Sequence, residues 1–129
     1  MLLNHLNLCV HNVNEARAFF ETHFGLSCQH QEGETIAILT DEAGFVLSVS
    51  GFGGQNPSYP KAFHVGFMQR TFDEVNAIYD RMRAAGLASA SPPQLSHGRL
   101  TFYFKGPGDI LIEVSAWAPQ PQEAVSAAQ

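Results

Sequence analysis

Two imidazoles and one carboxylate can hold a divalent metal ion on one side and leave its other positions open to a substrate or O2. His5, His64 and Glu113 offer that set. They lie far apart in the chain, and a lone histidine in a strand is more often structural than ligating. Spacing alone therefore decides nothing. What ties the three together is a repeat running through nearly the whole sequence.

The repeat is read from the elements. Residues 2–10 alternate apolar and polar, as a half-buried strand does. HNVNEARAFFETHFG then reads as a helix. Asn12 or Asn14 can cap it, Val13, Ala16, Phe19, Phe20 and Phe24 share a face, and Gly25 is the stop. Leu26 to His30, Thr35 to Thr40 and Phe45 to Ser50 read as strands. A Gly- and Pro-rich linker, GFGGQNPSYPK, follows.

Then the order begins again. AFHVGFM is a strand, and TFDEVNAIYDRMRAAG is a helix opened by Thr71 and Glu74 at capping-box spacing and closed by Gly86. A short strand near Leu87, then RLTFYFK and ILIEVSA, complete the set. The order β-α-β-β-β thus occurs twice. His5 precedes Gly25 by 20 residues, and His64 precedes Gly86 by 22. Each half ends in a glycine turn and an apolar strand, GFVLSV and GDILIEV, which sets Ser48 against Glu113. We expect one domain: module one about 1–50, a linker about 51–61, module two about 62–116, and a loose tail over 117–129.

Alternation sorts the strand residues by face. Leu6, Leu8 and Val10 oppose His5, Asn7 and Cys9. Phe63, Val65 and Phe67 oppose His64, Gly66 and Met68. Leu100, Phe102 and Phe104 oppose Arg99, Thr101, Tyr103 and Lys105, and Ile110, Ile112 and Val114 oppose Leu111, Glu113 and Ser115. The apolar face should pack on the helices. The other face is polar but sparsely charged, and it carries the whole candidate set. A sheet face that merely met water would hold more Lys and Glu.

On that face Tyr103 can hydrogen-bond a reacting oxygen. His97, in the loop before its strand, can serve as acid or base near neutral pH. Asn7, Ser48 and Arg99 are candidate substrate contacts, Arg99 for a carboxylate or phenolate. His11, His23 and His30 stand at element margins and are assigned no chemistry.

Composition excludes several classes. With seven Lys and Arg against twelve Asp and Glu, the net charge is −5, and no basic cluster exists to meet nucleic-acid phosphates. No run approaches the apolar length of a membrane span, and no leader pattern opens the chain. Two cysteines outside any CxxC fit free thiols in a reducing cytoplasm. The linker is no phosphate cradle, because no Lys-Ser/Thr follows and no helix opens there.

NHLNLCV, FFETHFGL, FHVGF, RMRAAGL and GPGDILIEV together resemble the vicinal oxygen chelate superfamily of glyoxalases, bleomycin-resistance proteins, extradiol dioxygenases and fosfomycin-resistance thiol transferases. The resemblance covers about residues 2–116. It implies an α+β fold of two βαβββ modules, with a curved mixed sheet, a cup-shaped site and the helices outside. It implies His5, His64 and Glu113 as ligands of a divalent metal, Fe(II) or Mn(II) favoured, Zn(II) or Ni(II) possible. It also implies a homodimer that exchanges modules, so that His5 meets His64 and Glu113 of the other chain.

Glyoxalase I enzymes carry a carboxylate where Ser48 stands, and a hydroxyl is too weak a base to replace it. HGRLTFYFKGPGDILIE resembles the extradiol dioxygenase order of His97, Tyr103 and Glu113, with Gly106 in place of an acid. It also resembles the thiol transferases, which carry Thr in place of Asn7. The expected activity is a metal-dependent, dioxygenase-like reaction on a small oxygenated substrate. The rivals are a metal-free drug-binding protein, with Phe52, Tyr59, Tyr103 and Trp117 lining its groove, and a thiol transferase or glyoxalase-like lyase.

Overall fold

The structure, a computed structural model, describes residues 1–51, 56–88 and 91–120. Among the described residues two compact units emerge, one within 1–64 and 105–111, the other within 65–104 and 112–120.

In the first half, β1 (His5–Cys9) leads to helix α1 (Val13–Phe24), then β2 (Ser27–Glu32), β3 (Ile36–Thr40) and β4 (Val46–Ser50). The sheet order is β1-β4-β3-β2, with β1 parallel to β4 and β3 antiparallel to both β2 and β4. Asn12 caps α1, its side chain accepting from Glu15 N, and Gly25 ends the helix in the left-handed region at φ 68°. The helix packs on β2, β3, β4 and the 3-10 turn at Pro107–Asp109. Val13, Ala16, Phe19 and Phe20 supply its buried face against Leu8, Ala37, Leu39, Leu47 and Val49 in the same core. Burying a ring such as Phe20 contributes about 1.5–3 kcal/mol.

The linker is tied to this half. Tyr59 Oη donates to the Cys9 carbonyl at 2.7 Å, and the Tyr59 ring stacks on Phe63 at 4.7 Å. Phe52 and the tail from residue 121 lie outside the described residues.

In the second half the strands are β5 (His64–Gln69), β6 (Gln94–Ser96), β7 (Arg99–Lys105) and β8 (Leu111–Trp117), with helix α2 (Phe72–Ala84) after β5. Their order, β5-β8-β7-β6, repeats that of the first sheet. Thr71 caps α2 by accepting from Glu74 N, and the Glu74 carboxylate reaches back to Arg70 N at 2.9 Å. Val75, Tyr79 and Met82 form the buried face of α2, and the Tyr79 ring meets Phe102 edge-on at 5.3 Å.

The α+β architecture and the doubled module match the expectation, with the strands arranged as two four-stranded sheets. One strand differs. Among the described residues near Leu87 there is an isolated bridge, Ala88 to Phe104, and no strand. The Leu87 and Ala88 amides both donate to the Met82 carbonyl, so they finish α2 rather than start a ladder. The strand forms instead at β6, beyond Pro92 and Pro93.

Candidate functional site

Strand positions correspond between the halves. His5 and His64 are each the first residue of their strand, Asn7 and Gly66 each the third, and Ser48 and Glu113 each the third residue of an inner strand. An inner strand is covered on both edges, which explains why Ser48 and Glu113 are buried although they point to the polar face.

In the first half the polar face is closed by neutral groups. Asn7 lies opposite Ser48 in the parallel register. Ser48 Oγ donates to Asn7 Oδ1 at 2.7 Å, and Asn7 Nδ2 donates to Ser50 Oγ at 3.1 Å. Asn7 and Ser48, two predicted substrate contacts, therefore meet each other first.

In the second half the same place holds a charge. Glu113 is only 5 % exposed. Its Oε1 receives the Tyr103 hydroxyl at 3.4 Å and faces Arg99 Nη1 at 3.2 Å. Arg99 also lies over the Trp117 ring, 5.3 Å from its centroid. Burial, and then the charge of Glu113, push the Tyr103 phenol above its ordinary value, so it keeps its proton. Glu113 Oε2 turns toward Gly66, where a Cβ would stand 3.6 Å away. The missing side chain leaves room beside that oxygen. Ser115 Oγ donates to Met68 Sδ at 3.0 Å, placing β5 and β8 side chains on one face.

The two histidines share one device. His5 Nδ1 donates to the Val46 carbonyl at 3.1 Å, and His64 Nδ1 donates to the Ala62 carbonyl at 2.9 Å. A carbonyl only accepts, so Nδ1 carries a proton in each ring. This is the outer contact that ordinarily orients a ligating imidazole. Both rings are exposed. By donor chemistry alone, two imidazole nitrogens and one carboxylate suit a divalent cation. Among the described residues of one chain, no three His, Cys, Asp or Glu side chains gather to hold a metal.

A groove of ≈ 460 Å³ opens in the second half beside Pro92, Gln94, His97, Arg99, Thr101 and Tyr103. His97 and Gly98 form the two-residue turn between β6 and β7, both at positive φ (53° and 78°). The turn holds the predicted His97 exposed at the lip of the groove.

Sequence reasoning missed Ser50 as the partner of Asn7 and Trp117 as the support of Arg99. Both were within reach of it. Ser50 is two residues from Ser48, and Trp117 is four from Glu113, so alternation puts each on the polar face. Ending the last strand at residue 116 hid the tryptophan.

The Glyoxalase/Bleomycin resistance protein/Dioxygenase superfamily model matches residues 2–114. This chain belongs to that superfamily. A possible glyoxalase from Bacillus cereus is 40% identical, covers 88% of this chain and 97% of its own, and superposes with a TM-score of 0.80. A superfamily structure from Nocardioides, 21% identical over 95% of this chain and 87% of its own, has a TM-score of 0.74. The lactoylglutathione lyase of Agrobacterium tumefaciens is 15% identical over 89% of this chain and 92% of its own, also at 0.74. These last two show the common fold. No curated protein matches the chain. Among the described residues no helix is long and apolar enough to cross a membrane.

Proposed function

We propose that this superfamily member is a metal-dependent enzyme of the cytoplasm acting on a small oxygenated organic substrate, with dioxygenase-like chemistry. The observation that carries this reading is the matched pair of imidazoles. His5 and His64 open equivalent strands, and each spends Nδ1–H on a backbone carbonyl. With Glu113 they would hold Fe(II) or Mn(II), and Zn(II) or Ni(II) also suit the set. The ion would supply Lewis acidity and a template for substrate oxygens. As the family resemblance implies, a homodimer would complete the set, His5 coming from one copy and His64 and Glu113 from the other.

The remaining residues have separate tasks. Tyr103 holds its proton at Oη and donates it as a hydrogen bond. Arg99 would orient an acidic oxygen of the substrate. His97 at the groove lip would serve as a general acid or base. Asn7 and Ser48 would give the substrate an amide and a hydroxyl. The lyase reaction named for the Agrobacterium relative needs a base where this chain has Ser48, and a thiol transferase needs more positive charge than these residues provide.

A second reading, a metal-free small-molecule binding protein, is favoured by the Arg99 ion pair, which already gives Glu113 a cationic partner. In that reading Tyr59, Tyr103 and Trp117 supply aromatic contacts. Metal analysis of protein purified without a histidine tag separates the two. Uptake of Fe(II) or Mn(II), lost in His5→Ala and His64→Ala, supports the enzyme. Protein that takes up no Fe(II), Mn(II), Zn(II) or Ni(II) overturns it.

A further inference from the structure

We propose that Arg99 is a switchable anchor for a small planar organic carboxylate, held in reserve by Glu113 and released when that carboxylate engages another partner. Four observations meet at this residue. Its ion pair with Glu113 runs from Nη1 to Oε1 at 3.2 Å, longer than the short charge-assisted bonds that make arginine–carboxylate pairs strong. The Arg99 side chain is 33% exposed and the Glu113 side chain 6%, so the arginine is the partner that can turn to a ligand. Trp117, itself exposed, lies against the guanidinium and offers a flat wall to a planar acid. The groove beside Arg99 adds Gln94 and Thr101, which share its face and can hydrogen-bond the rest of the molecule.

The physical consequence is a coupling. A cation at Glu113 and an anion at Arg99 each remove the other's internal competitor, so each tightens the other by the same factor. The cation half of this coupling rests on the reading of Glu113 as a metal ligand. The anion half does not.

Benzoate is the probe, titrated calorimetrically into the full chain, with Mn(II) binding followed by electron paramagnetic resonance. In metal-free protein, Glu113→Gln should tighten benzoate about tenfold, the worth of one charge-assisted hydrogen bond. Adding Arg99→Gln to that variant should abolish the gain, and Arg99→Lys should restore only part of it. In wild type, Mn(II) should also tighten benzoate, but not in Arg99→Gln. Equal benzoate affinity in wild type, Arg99→Gln and Glu113→Gln overturns the anchor, whether or not Mn(II) binds. No Mn(II) binding, with Glu113→Gln still tightening benzoate, overturns the metal reading and upholds the anchor. Should Glu113→Gln not fold, the Arg99 Nε–H resonance of wild type decides: a shift on adding benzoate supports the anchor, and an unmoved resonance at the highest soluble concentration overturns it.

Discussion

Asn7 and Gly66 occupy the same place in the two modules, the third residue of β1 and of β5. Asn7 fills its place and hydrogen-bonds Ser48. Gly66 leaves its place empty beside Glu113 Oε2. The two modules share these backbone positions and differ in what fills them: amide with hydroxyl in one half, space with carboxylate in the other.

That difference predicts a graded response at Gly66. Alanine puts its methyl in ordinary contact with Glu113 Oε2 and should leave Mn(II) affinity close to wild type. Gly66→Asn copies the first module and should lower it at least about tenfold if Glu113 is the ligand proposed above, as disturbing a ligand's surroundings does. Mn(II) titrations of the two variants, with melting curves to confirm folding, make the comparison.

Asn7→Ala should be costlier to stability than its exposure suggests. It takes a partner from two buried hydroxyls, Ser48 and Ser50. The expected loss is about 1–3 kcal/mol in urea denaturation, against about 0.5–1.5 kcal/mol for Ser48→Ala, which removes one hydrogen bond and its own buried group.

Tyr59 and Tyr103 should both ionise above the ordinary tyrosine range. Burial is the first cause at each, and the charge of Glu113 adds to it at Tyr103. A raised phenol pKa means that folding favours the protonated form. The stability this gives is complete below about pH 10 and is lost as pH climbs through the higher folded values. A near-ultraviolet absorbance titration should show late-titrating phenols, one fewer in Tyr103→Phe, and normal titration in denaturant.

His97→Asn should stabilise the protein by up to about 1 kcal/mol, because asparagine tolerates the positive φ of this turn better than histidine. Denaturation midpoints check this. Mn(II) affinity should not change, since His97 sits on the hairpin turn and not among the ligand candidates. Turnover that uses its imidazole should fall even as the midpoint rises.

Much of this was legible in the residues. Strand alternation put His5, Asn7 and Cys9 opposite Leu8 and Val10, and β1 is exposed and buried in that alternation. Asn12, Gly25, Thr71 and Gly86 mark the helix ends through local chemistry, which sequence displays directly. β6 was not legible, because Gln94, Leu95 and Ser96 carry no strand signal and pair only since the turn at His97 folds them onto β7. The contacts of Glu113 were half legible: parity put Arg99 and Tyr103 on its face, but which of its oxygens they reach depends on tertiary geometry. Alternation put Asn7, Ser48 and Ser50 on the polar face, but their pairing follows from the parallel register of β1 on β4.

Strand β6, three exposed residues at the edge of its sheet, follows directly on Pro92, Pro93. Proline brings no N–H to a ladder, so a strand from another chain would find three residues to pair with here and then nothing. The rim of the groove is thereby guarded against aggregation by strand addition. An unpaired edge can stand beside a small-molecule opening without drawing in a neighbouring polypeptide.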